Sequence, residues 1–364
     1  MNKTKVLILF GGRSTEHEVS INSARNVAKA INTETYDPIL VGISKESGTW
    51  YYFPGNDIPA ALTVISDTNS APATIVNLYK VGTSTDLTNT DGTIDIPVHF
   101  VLPITHGKYG EDGCLQGLCR MFNLPFAGPA VASSAVCMDK DFTKRILESA
   151  GVPIGSYITL YANEHISYEE ITGKLGIPFF LKPANTGSSV GVYKVKSKAE
   201  FDKYMPIVFQ YDDKIVIEKY IPGREIECAV LGNHSPTASV LGEIKLKHDF
   251  YSYEAKYLDP EGADLIIPAV LNESIAKKVQ QYALHAYKAM GCKGFARIDF
   301  FVTESNEIYL NEINTIPGFT NISMYPKLFE TSGIAYTDLI DRIIKHGIED
   351  YKVWSALSTE HHLQ

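Results

Sequence analysis

Two segments near the end of the chain, ARIDFF (residues 296–301) and YLNEIN (residues 309–314), have the character of neighbouring β-strands. Both are mainly apolar, and the four residues TESN (303–306) between them are typical of a short turn. The sequence therefore predicts an antiparallel hairpin. We expect residue 302 to pair with residue 307, because a four-residue turn would join the strands there.

Four polar side chains share one face of this predicted hairpin. Side chains two positions apart lie on the same face of a strand, so Arg297 and Asp299 form one pair and Glu312 and Asn314 form another. The expected register places Arg297 opposite Glu312. Two acids and an amide on a largely apolar sheet need a compensating cation, and Mg²⁺ prefers such oxygen ligands. The cluster therefore indicates a magnesium site, with a solvated face and an Arg297–Glu312 ion pair as the alternative.

A run of small residues follows another predicted strand, in FLKPANTGSSVGV (residues 180–192). Lys182 stands at the end of that strand, and glycines in the loop after it allow backbone amides to approach a phosphate. Ser188 and Ser189 add hydroxyl donors, and the lysine can reach a phosphate as a point charge. The segment lacks the GxxxxGKS/T pattern, so it is not a P-loop. We interpret it as a phosphate-binding loop, with an ordinary turn as the alternative.

The composition describes a globular protein with an acidic surface. The chain has 364 residues, 45% of them hydrophobic and 21% charged, with a net charge of −9. This length predicts two or three packed domains. The charge offers no attraction to nucleic acid or anionic membranes, and no apolar run suits a signal peptide or a membrane span. Five scattered cysteines without CxxC spacing are typical of reduced thiols. We therefore expect a cytoplasmic protein that binds neither nucleic acid nor membrane.

Alternating strand and helix patterns predict an α/β domain followed by two further units. The expected bounds of the three are 1–130, 131–222 and 223–364. In the first we expect a buried strand over residues 5–10, a helix that Ser20 caps and that runs to about residue 31, and a surface loop over the polar residues 83–95. The helices predicted in the other two span residues 134–150, 198–209, 273–290 and 337–345, and the strands span residues 179–183, 192–195, 214–219, 225–231, 239–246, 296–302 and 307–314.

Separated blocks of the sequence resemble, in the same order, those of D-alanine–D-alanine ligases. The blocks are LFGGRSTEHEVS (9–20), HGKYGEDG (106–113), MDK (138–140), KPANTGSSVGV (182–192), EKYIPGREIE (218–227), FYSYEAKY (250–257), ARIDFF (296–301) and NEINTIPGFT (311–320). The resemblance covers almost the whole chain and is more specific than any single motif. It implies the ATP-grasp fold, an α/β (α+β) architecture with an N-terminal α/β domain, in which the nucleotide lies between two antiparallel sheets of the central and C-terminal units.

The resemblance also implies ATP as a cofactor, together with two ions of Mg²⁺ or Mn²⁺. Asp299, Glu312 and Asn314 match the metal ligands of the family, which agrees with the position of these side chains on one strand face. The residues that match nucleotide ligands are Lys140 and Lys182 for the phosphates, Ser188 and Ser189 in the phosphate loop, Glu218, Lys219 and the backbone of Ile221 for adenine, Glu225 for ribose, and Phe250.

A second set of matching residues would form the amino-acid site. Its members are Glu16 for the ammonium of the first substrate, His106 nearby, Lys256 and Ser323 for the carboxylate of the second substrate, and Arg297 with the backbone N–H of Gly318 for the oxyanion. Ser188 and Tyr257 match groups that join Glu16 in holding a mobile loop closed. We expect residues 248–267 to form this lid, because an acyl phosphate must be protected from water.

The resemblance implies an ATP-dependent ligase that joins two D-alanines through an acyl phosphate, for peptidoglycan precursors. The implied partners are these small-molecule substrates and a second copy of the chain in a homodimer. One alternative is a D-alanine–D-lactate or D-alanine–D-serine ligase of the same fold. The presence of Tyr257 after Lys256 favours a ligase that uses an amine as its second substrate. A non-catalytic nucleotide sensor would not need the intact lysine, arginine and acidic residues named above. A third alternative is a nicotinamide-dependent enzyme. The Gly11-Gly12 turn lacks the GxGxxG fingerprint of such enzymes, which argues against it.

Overall fold

The computed structural model describes residues 3–55, 57–68, 73–246 and 263–358. The strands in these ranges are β1 (Thr4–Gly11), β2 (Tyr36–Ile43), β3 (Trp50–Phe53), β4 (Thr74–Ile75), β5 (Asn77–Val81), β6 (Ser84–Thr88), β7 (Asp95–Pro97), β8 (Phe100–Pro103), β9 (Tyr157–Tyr161), β10 (Phe179–Pro183), β11 (Tyr193–Val195), β12 (Lys214–Lys219), β13 (Arg224–Leu231), β14 (Thr237–Leu246), β15 (Ala263–Ile266), β16 (Phe295–Val302) and β17 (Ile308–Asn314). The helices are α1 (His17–Ala30), α2 (Cys114–Met121), α3 (Val131–Met138), α4 (Lys140–Ser149), α5 (Tyr168–Leu175), α6 (Lys198–Val208), α7 (Glu273–Ala289), α8 (Met324–Thr331) and α9 (Tyr336–Ser355). Among these described helices, none is long and apolar enough to cross a membrane.

The N-terminal sheet has the strand order β4-β3-β2-β1-β8, with β1 parallel to both β2 and β8. The middle of β1 is fully buried, as its continuous apolar run predicts. Helix α1 begins at His17, so the prediction that Ser20 caps it is wrong. Ser20 lies inside the helix, where its hydroxyl donates to the Ile104 carbonyl (2.5 Å) and accepts from the Gly11 amide (2.7 Å). These bonds tie α1 to the end of β1.

A small three-stranded sheet, β5-β6-β7, lies beside the N-terminal sheet. Its middle strand β6 takes up residues 84–88, so the prediction of a surface loop over the whole of 83–95 is wrong, and residues 89–94 form the connection from β6 to β7. The strand β6 pairs with both neighbours and buries Thr85 and Leu87, while the side chains between them stay more exposed. This alternation is typical of a half-buried strand, and the polar composition of the segment hid it.

The central sheet has the order β11-β10-β12-β9, and the C-terminal sheet has the order β15-β14-β13-β16-β17. All pairs in both sheets are antiparallel, as the ATP-grasp resemblance implied. The single helix predicted over residues 134–150 is two helices, α3 and α4, which are separated at Asp139. The Asp139 carboxylate accepts from the amides of Asp141 (3.0 Å) and Phe142 (3.2 Å) and so caps α4. This cap fixes Lys140 as the first residue of the helix.

The hairpin β16–β17 forms, but its predicted register is wrong. Val302 pairs with Ile308, and the pairing shifts after Asp299, so that Asp299 lies opposite Glu312. The turn is one residue longer than expected, and the shift is a β-bulge, which re-aims side chains locally. Neither feature follows from strand alternation alone.

The last helix, α9, continues well beyond the predicted end at residue 345. Its apolar stripe packs on the core beside the N-terminal sheet, and the backbone at Gly347 lies very close to neighbouring residues. A Cβ at Gly347 would lie 2.5 Å from the carbonyl oxygen of Phe126 and 2.6 Å from Cζ of Phe100. Glycine is therefore required at position 347 for α9 to contact Phe126 and Phe100, although glycine is a poor helix former.

We predict that Gly347→Ala destabilises the protein by about 1–3 kcal/mol, because the added methyl group meets backbone that cannot move aside. Gly117→Ala in α2 is the matched control, since nothing lies within 4 Å of its Cβ position. That control should be neutral or stabilise by up to about 1 kcal/mol through helix propensity. Denaturant unfolding of both variants measures the difference, and a stabilised Gly347→Ala protein would contradict the packing.

Candidate active site

Two adjoining cavities lie where the sheets meet. The first cavity, about 410 Å³, lies between the central and C-terminal sheets and is lined by residues of β10 and β12 on one side and of β13, β14, β16 and β17 on the other. The second cavity, about 530 Å³, lies beside the start of α1 and the turn after β17. Both are lined by Lys140, Gly187, Ser188, Glu227 and Glu312. The two cavities therefore share a wall.

Most residues predicted to bind the nucleotide line the first cavity, and most residues predicted to bind the amino acids line the second. The first cavity is lined by Lys140, Lys182, Ser188, Ser189, Glu218, Lys219, Ile221, Glu225, Asp299 and Glu312. The second is lined by Glu16, His106, Lys140, Ser188, Arg297, Glu312, Asn314, Gly318 and Ser323. Phe250, Lys256 and Tyr257 lie outside the described residues, as does most of the lid predicted over 248–267.

A buried cluster of two lysines and one glutamate lies at the wall of the first cavity. Glu218 binds Lys182 (2.7 Å) with one carboxylate oxygen and Lys144 (3.1 Å) with the other. Burial alone would raise the pKa of Glu218, but the charges of Lys144 and Lys182 lower it to about 2. The cluster thus carries a net positive charge, which suits a phosphate group. The sequence interpretation missed Lys144, although it lies one helical turn after Lys140 on α4.

The loop between β10 and β11 is tied to its surroundings on both sides. Lys140 donates from Nζ to the carbonyl of Thr186 (2.6 Å). Ser188 and Ser189 both adopt left-handed backbone conformations, with φ of 52° and 61°. The Ser188 hydroxyl donates to a carboxylate oxygen of Glu16, across to the N-terminal part of the chain. The loop predicted to bind phosphate therefore also forms a boundary of the second cavity.

The acidic face predicted on the hairpin is present and includes a carboxylate that the sequence interpretation missed. Arg297 donates from Nε and Nη2 to the two carboxylate oxygens of Asp299 (2.8 and 2.7 Å), and its Nε lies 2.9 Å from Glu227. Asn314 donates to Asp299 (2.9 Å). Arg297 thus pairs with Asp299 and Glu227 on this face. The signal for Glu227 was its position two residues after Glu225 on a strand, which places both on one face.

Burial acts to lower the pKa of Arg297, but Asp299 and Glu227 raise it well above the usual value. The guanidinium therefore stays charged and neutralises the acidic face. Among the residues that the structure describes, no three His, Cys, Asp or Glu side chains are gathered as a metal site. The predicted set instead combines the carboxylates of Asp299 and Glu312 with the amide of Asn314. These are hard oxygen donors, so their chemistry fits a magnesium or manganese ion bound together with phosphate oxygens.

Glu16 lies in a narrow gap between two loops of the second cavity. A Cβ on Gly107 would lie 2.8 Å from Oε2 of Glu16, and a Cβ on Gly187 would lie 2.9 Å from the same atom. A side chain at either position would therefore displace the carboxylate from its present place. His106, predicted near the substrate, forms part of the wall here: Nδ1 binds the Ile316 carbonyl (2.8 Å), and Nε2 lies 3.2 Å from the Ser23 hydroxyl. Both ring nitrogens are thus engaged by protein groups.

A further acid in this region, Glu111, was not singled out by the sequence interpretation. Its carboxylate accepts from the amides of Gly107 (2.9 Å) and Ile316 (2.7 Å), and the side chain lines the second cavity. Burial and then the negative charge of Glu16 raise the pKa of Glu111 to about 8. Its position in the block HGKYGEDG was the available signal.

The far end of the second cavity is formed by the turn after β17 and the start of α8. The Ser323 hydroxyl accepts from the Thr320 amide (3.0 Å) and lies 2.7 Å from the Thr320 hydroxyl. A Cβ on Gly318 would lie 2.7 Å from Oγ of Ser323, so this turn passes close to the helix start. The predicted oxyanion and carboxylate ligands are therefore neighbours.

Two antiparallel sheets that enclose a lysine-lined cavity define the class of protein, which is the ATP-grasp fold. The family model described as D-ala D-ala ligase N-terminus matches residues 5–129, and the model described as D-ala D-ala ligase C-terminus matches residues 146–345. The chain belongs to the D-alanine–D-alanine ligase family.

Individual relatives match over nearly their full length. The chain is 45% identical to a D-alanine–D-alanine ligase of Proteus mirabilis, over 99% of both chains. It is 47% identical to D-alanine–D-alanine ligase A of Escherichia coli, over 99% of this chain and 100% of that one. A solved D-alanine–D-alanine ligase from Coxiella burnetii superposes with a TM-score of 0.84 at 38% identity, over 97% of both chains. The VanG D-Ala:D-Ser ligase from Enterococcus faecalis superposes with a TM-score of 0.83 at 36% identity, over 95% of this chain and 100% of that one.

We predict that Glu111→Gln flattens the pH dependence of stability between about pH 4.5 and 8. The folded protein holds the Glu111 proton more tightly than the unfolded chain, so this group lowers the free energy of unfolding as the pH rises through that window. The effect of one such group is at most about 1.4 kcal/mol per pH unit. Denaturant unfolding at several pH values compares the two proteins. An unchanged slope would contradict the raised pKa.

Proposed function

We propose that this chain catalyses the ATP-dependent joining of two D-alanines to D-alanyl-D-alanine, a precursor of peptidoglycan, with release of ADP and phosphate. The observation that carries the proposal is the shared wall of the two cavities. It contains Lys140 and Ser188 from the central part of the chain and Glu312 from the C-terminal sheet. A nucleotide in one cavity would thus present its terminal phosphate to an amino acid in the other.

In this proposal the three units predicted from the sequence have separate tasks. Residues 131–222 and 223–364 would hold the nucleotide between their sheets, and residues 1–130 would provide Glu16 for the first amino acid. Lys140 and Lys182 would bind the phosphates, since both line the first cavity beside a net positive cluster. Glu218, Lys219, Ile221 and Glu225 line the same cavity and would bind the nucleoside. The resemblance further implies a homodimer in the cytoplasm.

Asp299, Glu312 and Asn314 would hold divalent cations, Mg²⁺ or Mn²⁺, and the resemblance implies two. Such ions would offset the negative charge of the phosphates. Arg297 now binds both carboxylate oxygens of Asp299. Glu227 is a second carboxylate partner of the guanidinium, besides Asp299. Glu227 would therefore keep Arg297 in place beside the second cavity.

The chemistry begins with attack of the first D-alanine carboxylate on the terminal phosphorus of ATP. The new P–O bond forms as the bond to the bridging oxygen breaks, which gives an acyl phosphate and ADP. Lys140 and Lys182 would stabilise the charge that shifts toward ADP. Glu16 would hold the ammonium group of this D-alanine, because its carboxylate lines the second cavity. These side chains thus position the substrates and offset their charges. The transferred phosphoryl group provides the leaving group for the next step.

The amine of the second D-alanine then attacks the acyl carbon, and phosphate leaves from the tetrahedral intermediate. Arg297 and the Gly318 amide would stabilise the oxyanion, since both line the second cavity. Ser323, with Lys256, would bind the carboxylate of this second substrate. Residues 248–267 would close over the site, and Tyr257 would join Ser188 and Glu16 in holding them closed. Phe250 would then contact the nucleotide.

D-serine is the second candidate for the acceptor, because the solved D-Ala:D-Ser ligase shares this fold almost as closely as the D-alanine–D-alanine ligase does. The relatives at 45–47% identity over the full chain are D-alanine–D-alanine ligases, and this favours D-alanine. Incubation with ATP, D-alanine and equal amounts of D-serine or D-lactate separates the candidates. We expect D-alanyl-D-alanine as the main product by mass. A mixed dipeptide or a depsipeptide as the main product would overturn the assignment.

We predict that Arg297→Met lowers kcat by about 100-fold or more, the usual cost of losing an oxyanion donor. The KM for ATP should change much less, because the guanidinium lies beside the acyl group and not the nucleoside. Arg342→Met, an exposed substitution on α9, is the control and should behave as the unmodified protein. A rise in the KM for ATP alone would make Arg297 a phosphate ligand instead.

We predict that Glu312→Gln abolishes phosphate release and weakens Mn²⁺ binding, because the amide keeps the volume of the side chain but removes its charge. Glu307→Gln is the control, since this exposed acid is on the same hairpin. Turnover and Mn²⁺ binding by electron paramagnetic resonance, in the presence of ADP, measure both effects. Normal Mn²⁺ binding in an inactive Glu312→Gln protein would remove Glu312 from the metal ligands.

A further inference from the structure

The turn at residues 315–319 follows the metal-ligand strand β17 and contains Gly318, the proposed oxyanion donor. Side chains of the N-terminal part of the chain bind this turn at two places. Glu111 binds its beginning, at the Ile316 amide (2.7 Å). Ser23 binds its end, where the hydroxyl accepts from the Phe319 amide (3.2 Å). The turn is therefore attached to a different part of the fold from the strand that leads into it.

His106 connects these two attachments, and the directions of its hydrogen bonds can be deduced. The Ile316 carbonyl can only accept, so Nδ1 of His106 carries the proton. Burial lowers the pKa of His106, which favours the neutral ring. The unprotonated Nε2 must then accept from the Ser23 hydroxyl, and that hydroxyl in turn accepts from the Phe319 amide. The bonds form a closed ring around residues 316–319, with Gly318 inside it.

Glu111 extends this ring to the loop that borders Glu16. Its second carboxylate oxygen accepts from the Gly107 amide (2.9 Å), and the Thr315 hydroxyl lies 3.4 Å from the first. Gly107 is one of the two glycines that enclose the Glu16 carboxylate. One side chain therefore sets the distance between the turn 315–319 and the site proposed for the first ammonium group.

We propose that Ser23, His106 and Glu111 are positioning residues that hold the turn 315–319 so that the Gly318 amide points at the oxyanion. The inference rests on the proposed function. None of the three needs to touch a reacting atom. Oxyanion stabilisation depends on donors that are fixed before the reaction, and a displacement of about 1 Å can cost on the order of 100-fold in rate. His106 therefore acts through the turn and not as a ligand of the substrate.

The experiment uses the full-length protein with Ser23→Ala, Glu111→Gln and Glu111→Ala. Ser23→Ala removes the acceptor for the Phe319 amide and the donor for His106. Glu111→Gln keeps the volume but leaves one of two amides facing an NH₂ group, and Glu111→Ala removes both acceptors. The matched controls are Asn22→Ala, the exposed neighbour of Ser23, and Asp112→Asn, whose carboxylate accepts from the amides of Tyr109 and Cys114 in its own loop.

Two measurements separate positioning from a merely structural role. Hydrogen exchange of the peptide that covers residues 315–319 reports whether the turn is held, and it needs no turnover. The affinity for a phosphinate analogue of the dipeptide, which has a tetrahedral centre, reports whether the oxyanion donor is in place. We expect exchange at the turn to rise at least about 10-fold in Ser23→Ala and Glu111→Ala. We expect kcat and phosphinate affinity to fall together by about 10- to 100-fold, with the KM for ATP within about 2-fold.

Three results would overturn the proposal. Unchanged exchange at residues 315–319 would show that these side chains do not hold the turn. Faster exchange with normal kcat and normal phosphinate affinity would show that the turn is held for another reason. Equal losses of kcat and phosphinate affinity in the Asn22→Ala and Asp112→Asn controls would show that the effect comes from a general loss of stability. Failure of the unmodified protein to form dipeptide would instead overturn the proposed function, while the exchange measurement would still decide whether the turn is held.

Discussion

The guanidinium of Arg297 joins the three strands on which the site depends. Glu227 is on β13, Asp299 is on β16 and Asn314 is on β17, and the contacts of the guanidinium and of Asp299 bring all of them onto one sheet face. Without the positive charge of the guanidinium, the carboxylates of Glu227 and Asp299 would repel one another in a partly buried position. The arginine therefore stabilises the arrangement that a divalent cation and phosphates would later use.

The placement of this face explains why the two cavities share a wall. Strand β17, on one side of the first cavity, ends at the turn that limits the second. A carboxylate and an amine do not combine directly in water, because oxide is a very poor leaving group. A ligase therefore needs phosphoryl transfer and amine attack within a few ångströms of each other and away from water. The bond from Ser188 to Glu16 is one of the contacts that closes the boundary between them.

The period-two pattern of the hairpin was sufficient to predict which side chains share a face, because alternation is a property of any extended strand. The register was wrong, since a bulge and a longer turn depend on packing that one strand does not reveal. Residues 83–95 have few apolar positions, so the sequence pattern predicts a loop where residues 84–88 form β6. Glu111, Lys144 and Glu227 were missed for a related reason. Local signals for them existed, but the partners that define their roles, Ile316, Glu218 and Arg297, are distant in sequence.

The central claim is that the first D-alanine is activated as an acyl phosphate at the junction of the two cavities. The most direct measurement uses D-alanine labelled with ¹⁸O in its carboxylate, together with ATP, and mass analysis of the released phosphate. Attack of that carboxylate on phosphorus predicts transfer of one labelled oxygen to phosphate for each dipeptide formed. Dipeptide formation with unlabelled phosphate would contradict the account, because the oxygen would then have left the carboxylate by another route.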